Sequence, residues 1–137
     1  MNRSDFRQIA VIRLKEARAL LLSGHDSGAY YLSGYVVECG LKACIAKLTR
    51  RHDFPDKKTA TDSFTHDLAR LVKIAGLETV LQAETAIDAS FRNSWWTVRD
   101  WTEESRYRTF QRREARDMYF AVAGRNHGIL RWIRRHW

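Results

Sequence analysis

The stretch RWIRRHW, residues 131–137, sets Arg131 and His136 on a basic segment with four residues between them, Trp132 among these and Trp137 after the histidine. Such a pair can do phosphodiester chemistry. A neutral imidazole takes the proton of a ribose 2′-hydroxyl, and a guanidinium stabilises the charge that develops on the phosphate as the 2′-oxygen attacks. On an ideal helix the two side chains point about 140° apart, and helix ends fray. The same residues therefore also read as a basic helix end, with Trp132 and Ile133 packed and Arg131, Arg134, Arg135 and His136 in water. In GRNHG, residues 124–128, Arg125, Asn126 and His127 form a candidate notch for an RNA or nucleotide phosphate, to which Arg134 and Arg135 add charge; a solvated turn is the alternative. Arg18 and His25 straddle the end of the first predicted helix, where His25 also reads as a cap on the last carbonyls.

Trp95, Trp96 and Trp101 alternate with Arg99, Arg106, Tyr107 and Arg108. Rings and guanidinium groups in that order stack bases and hold phosphates, or close the end of a helical bundle with arginines laid over the rings. The second reading is favoured. His66 in THDL is assigned to the first turn of its helix, with Asp67 near the positive end of the dipole. Glu38 stands inside the apolar run VVECG and needs solvent, a buried arginine or a partner chain, with Arg106 as the expected partner. Cys39 and Cys44 are five residues apart on one helix, a spacing unsuited to a disulfide, and no His or Cys pair supplies the rest of a metal set.

The elements that must position these groups are helical. Phe6, Ile9, Ala10, Leu14, Ala17 and Leu21 fall on one stripe, predicting a helix from a cap at Ser4 to Leu22. A second runs from Asp26 or Ser27 to about Arg50, with Ala29, Leu32, Val36, Gly40 and Ala43 on one face. Gly34 and Gly40 inside it each cost about 1 kcal/mol relative to alanine, so close packing should offset them. RHDFPDKKTATDS, residues 51–63, is polar, holds Pro55 and reads as a loop. FTHDLARLVKIAG is a short helix with Thr65 as cap and Gly76 as stop. Another runs from Leu77 towards Trp101 with a break near Asn93 and Ser94. A last helix opens near Thr109 and carries Phe110, Ala115, Met118, Tyr119, Val122, Ile129 and Ile133, with Gly124 and Gly128 weakening it without ending it. The fold class expected is all-α, a four- to five-helix up-and-down bundle.

The 137 residues, 45% of them hydrophobic, suffice for one core and are too few for two ordinary domains, so a single domain over 1–137 is expected. No apolar run approaches the roughly 20 residues of a membrane span, and MNRSDFRQ lacks the apolar core of a signal peptide, which predicts a soluble cytoplasmic protein. The net charge of +8 and pI near 9.9 favour a polyanionic partner, although an acidic protein suits them as well.

GAYYLSGYVVECGLKACIAK, HDLARLVKIAGL, WTEESRYR and ILRWIRRHW together resemble bacterial stand-alone proteins of the HEPN family, the higher-eukaryote and prokaryote nucleotide-binding domain. The likeness runs from ARALLLSGHDSGAYY onwards. It implies a helical bundle, commonly a homodimer. Some members are endoribonucleases, toxins among them, that need no metal or cofactor and place an arginine and a histidine, four to six residues apart, in a cleft at the dimer interface. Others have no such pair and serve as partners of small nucleotidyltransferases or as binding modules. The resemblance thus implies a toxin–antitoxin or defence component acting on RNA, with RNA or nucleotide, a second copy and a nucleotidyltransferase antitoxin as partners, and no membrane. A non-catalytic nucleotide-binding or partner module is the alternative. Arg131–His136 and Arg18–His25 both have the spacing, and chance supplies about two such matches in a chain so rich in arginine. Position selects Arg131 and His136 as the catalytic candidates, since the family's pair usually falls in the last helix. They depart from its pattern in lying late, with no turns of helix after the histidine.

Overall fold

The computed structural model describes residues 1–51 and 57–137, the side chains of residues 50 and 51 excepted. The structure is all-α and, among the described residues, has no strand. In chain order the elements are α1 (Arg3–Leu22), α2 (Asp26–Arg51), α3 (Lys57–Asp62), α4 (Leu68–Ile74), α5 (Glu78–Ile87), α6 (Ala89–Arg99), a 3₁₀ turn (Glu103–Tyr107), α7 (Arg112–Ala123) and α8 (Ile129–Arg134). No helix among the described residues is long and apolar enough to cross a membrane.

The centre is α2, which packs along α1 and also meets α4, α7, α8 and the 3₁₀ turn. Surrounded on most sides, it is buried at every position from Ser33 to Ile45 except Tyr35 and Lys42, which are half-buried. Small residues make this possible. A Cβ built on Gly34 would stand 2.2 Å from the indole carbons of Trp101, and one on Gly40 would stand 2.9 Å from Cγ2 of Ile133. Both glycines therefore hold seats for side chains of other elements. Trp101 lies across the helix, 1% exposed, with its indole N–H donating to the Tyr31 carbonyl at 3.1 Å. The predicted stripe of α1 also faces inward, with Ala10, Ala17 and Leu21 buried and Phe6, Ile9 and Leu14 half-buried.

Several boundaries differ from the sequence reading. The cap of α1 is Asn2, whose side chain accepts from the Asp5 N–H at 3.0 Å while the Asp5 carboxylate accepts from the Asn2 N–H at 2.9 Å. This reciprocal box starts the helix ahead of Ser4. Part of the segment read as a loop is the helix α3, a polar turn that hydrophobic periodicity cannot reveal; residues 52–56 lie outside the described residues. Asp67, not Thr65, caps α4 by accepting from the Arg70 N–H at 3.1 Å, so His66 precedes the helix instead of opening it.

The break in the next long segment falls at Asp88, which ends α5 and, accepting from the Phe91 N–H at 3.0 Å, caps α6. Asn93 and Ser94 lie inside α6. Finally, Gly124 and Gly128 do end the helix they were expected only to weaken. Both are extended (ψ 133° and 146°), and a turn closed by Gly128 N–H to the Gly124 carbonyl at 3.1 Å separates α7 from α8.

Candidate functional site

Arg131 and His136 are held by different partners. Arg131 is exposed on α8 and donates from Nη1 to the Asn126 carbonyl at 3.0 Å, which folds it back over the turn from Gly124 to Gly128. His136 lies beyond the last residue of α8, half-buried, with its ring edge-on to Trp132 at 5.0 Å between centroids. Burial, then the positive charges of Arg135 and Lys47, push its imidazole below the usual histidine value. Trp132 and Ile133 are buried.

Arg131 instead shares a cleft of about 300 Å³ with Arg125 and Arg134, floored by Leu14, Val122 and Leu130. His136 is not among the residues lining it. Arg125, Arg131 and Arg134, each always charged, all line this recess, with the Arg131 guanidinium turned to the Asn126 carbonyl and that of Arg134 over the Trp137 ring at 5.6 Å. Two of the phosphate-binding candidates from the sequence, Arg125 and Arg134, are thus joined by Arg131. Arg135 is exposed at the cap of α8. His127 is engaged elsewhere: its Nδ1 lies 2.7 Å from Oδ2 of Asp88, tying the α7–α8 turn to the α5–α6 junction. Asp88 sits below the usual carboxylate range, first because the Phe91 N–H donates to it and then because of His127. Arg18 and His25 are both exposed at the end of α1.

The tryptophan cluster divides. Trp95 and Trp101 are core residues, as the bundle-closing reading expects, whereas Trp96 is 51% exposed with the guanidinium carbons of Arg92 and Arg99 at 5.8 and 6.0 Å from its ring centre. Arg106 lies over the exposed ring of Tyr107 at 4.9 Å, and Arg108 over Phe110 at 5.2 Å. Arg106 is therefore not the partner of Glu38.

The partners of Glu38 are His66 and Lys42. The carboxylate is 2% exposed; Oε1 takes a hydrogen bond from Lys42 Nζ at 2.9 Å and lies 3.0 Å from His66 Nδ1, which is 3.1 Å from Oε2. Burial of a lone carboxylate costs several kcal/mol, so a charge partner in reach is what allows it inside the structure. This trio lines a cavity of about 890 Å³ between the start of α1, the second half of α2 and α3, with Phe6, Ile9, Ile45 and Phe64 among its apolar walls. Tyr35 and Cys39 also face it. Burial pushes the phenol up to about 12 and the thiol up to about 11, with the Glu38 charge adding to both, so both stay neutral at physiological pH.

Sequence reasoning noticed Glu38 and His66 separately and did not join them. A lysine four residues after Glu38 on the same helix was a legible signal; the contact with His66, 28 residues away, was not. Cys39 and Cys44 are free and buried, and among the described residues no group of three or more His, Cys, Asp or Glu side chains gathers as a metal site. No family model, no curated protein and no solved structure matches the chain.

Proposed function

We propose that the chain is a HEPN-type helical module, an up-and-down bundle working as a homodimer in a toxin–antitoxin or defence system, and that it binds the phosphate backbone of RNA without cleaving it. The family assignment rests on the resemblance of the four sequence segments, and the long helices α1, α2, α6 and α7 packed side by side support it. The observation that supports the binding role is the cleft that Arg125, Arg131 and Arg134 line together while His136 lies outside its lining. Guanidinium groups alone neutralise phosphates; strand cleavage by the 2′-hydroxyl needs a proton acceptor within reach of that hydroxyl. A small nucleotidyltransferase fits this scheme as the partner subunit.

The test is binding of a labelled single-stranded RNA by fluorescence anisotropy over a range of salt concentrations. Glutamine at Arg125, Arg131 or Arg134 should weaken binding for every sequence and lower the slope of log affinity against log salt by about 0.7 for each phosphate no longer neutralised. Unchanged affinity and slope in all three variants refutes the reading. Light scattering at micromolar concentration should return the dimer mass.

One observation favours cleavage as a second reading. His136 is held below the usual histidine value and is therefore neutral at physiological pH, as a general base must be. A second copy would then have to bring an arginine to it. Wild type and His136→Ala are compared on single-stranded and transfer RNA in EDTA. Metal-independent cleavage to a 2′,3′-cyclic phosphate, lost by ~100-fold or more in the variant with binding retained, would establish it. Equal cleavage by both proteins, or none, leaves the binding role.

A further inference from the structure

Phe91, Trp95 and Val98 are buried and fix α6 against the bundle, so the outward side chains of this helix ride on a rigid element. Trp96 is one of them, 51% exposed. Arg92 and Arg99 stand four residues before it and three after, one turn away on either side. Their guanidinium carbons are 5.8 and 6.0 Å from the ring centre, farther than the roughly 3.5–4 Å of a group laid flat on it, so they flank the indole and do not cover it.

Both cations keep donors for a ligand. Arg92 donates from Nη1 to the Thr85 carbonyl at 3.0 Å, which pins its guanidinium and leaves the other N–H groups of the fork. The ion pair of Arg99 with the Asp100 carboxylate is long, 3.9 Å, and lies in water, where such a pair contributes little. The seven residues from Arg92 to Arg99 span about 10 Å of helix, with the ring between them.

This arrangement suits a nucleotide. A nucleobase is a flat π-system that stacks on an indole whatever its sequence, and the phosphates beside it are anions that an arginine fork neutralises. A carboxylate-rich peptide would satisfy the arginines and leave the ring without a flat partner. In a duplex the base faces are already stacked on one another, whereas a single strand presents them.

We propose that Trp96 is a stacking platform for an unpaired base of RNA, with Arg92 and Arg99 taking the phosphates beside it. The proposal rests on the RNA reading above and adds a base contact to its phosphate contacts. The Asp88–His127 contact at 2.7 Å joins the cap of α6 to the turn that carries Arg125, and Trp96 lies eight residues, about 12 Å, farther along α6.

The probes are a labelled oligouridine of about twelve nucleotides, an abasic strand of the same length and charge, and an oligoglutamate of the same charge. Anisotropy over a range of salt gives affinity and slope, and proton–nitrogen spectra of the indole N–H groups, assigned with Trp96→Phe, show which tryptophan is touched. Oligouridine should shift the Trp96 signal and bind about tenfold or more tightly than the abasic strand, as expected from the stacking of one base. Trp96→Ala should weaken oligouridine by a similar factor, leave the abasic strand unchanged and keep the salt slope, because no phosphate contact is lost. Trp96→Phe, which retains a ring, should recover most of the affinity. Arg99→Gln should instead lower the slope by about 0.7 on both strands. The indole shift in the wild-type protein is a readout that needs no variant to fold. If the two strands bind equally, or Trp96→Ala binds oligouridine like wild type, the proposal is overturned while the phosphate reading stands; if neither strand binds even at low salt, both fall. Oligoglutamate that binds more tightly than the RNA and shifts the Trp96 signal overturns it in favour of an acidic protein partner.

Discussion

Replacing Gly34 by alanine adds a single methyl group to the central helix, and helix propensity alone makes this a stabilising change of about 1 kcal/mol. The packing opposes it. The new Cβ would sit 2.2 Å from two carbons of the Trp101 indole and 2.3 Å from its nitrogen, far inside contact distance. A flexible chain end can swing away from such an overlap, but here the methyl meets the body of a rigid ring that is 1% exposed and hydrogen-bonded to the Tyr31 carbonyl. The ring must leave its seat. Losing a buried tryptophan costs on the order of 3–5 kcal/mol and its hydrogen bond about 1 kcal/mol more. Set against the propensity gain, the net destabilisation expected is about 3–5 kcal/mol, a large share of the stability of a domain of this size.

The assay is urea unfolding followed by circular dichroism, with tryptophan fluorescence reporting the displaced ring. Trp101→Ala and the double variant complete a thermodynamic cycle. With the ring gone the methyl has nothing to strike, so the double variant should match or slightly exceed Trp101→Ala in stability. A Gly34→Ala protein as stable as wild type, or effects of the two changes that simply add, would refute the placement of Trp101 over Gly34.

Gly40→Leu should destabilise by about 1–3 kcal/mol through over-packing, because even a Cβ there would stand 2.9 Å from Ile133 Cγ2; unchanged thermal stability would mean that Gly40 does not face α8. His136 makes stability depend on pH. Its folded value is depressed, so the unfolded chain binds the proton more readily, and the contribution is complete above the ordinary histidine value and lost as the pH falls through the depressed one. The urea midpoint of wild type should therefore drop more steeply than that of His136→Gln between neutral pH and pH of about 5, and parallel curves would show that burial of the ring is not what holds it neutral.

Much of the helical framework was legible because it depends on neighbours close in sequence. The inward stripe of α1, the crowding of small residues on α2 and the end of α4 before Gly76 all follow from periodicity and local backbone preference. Boundaries failed where a cap competed with a nearby residue of the same kind, as Asn2 did with Ser4 and Asp67 with Thr65. Extended backbone at both Gly124 and Gly128, which decided that the last helix is two, follows no such local rule.

The candidate sites depended on contacts that no local rule supplies. Composition and spacing determined that the chain is helical, basic and rich in arginine near α7 and α8, and they marked Arg125, Arg131, Arg134 and His136 as groups with chemistry and Glu38 as a carboxylate in need of a partner. Only the tertiary structure decided which of them meet: Glu38 with His66 across 28 residues, His127 with Asp88 across 39, and Arg131 with the arginine cleft instead of with His136. It also decided that Trp96 is exposed while Trp95 is buried. The physical reason is that a side chain's partner is set by how distant helices close on one another, through loops whose conformations cost little to vary, whereas helix formation itself is settled within a few residues along the chain.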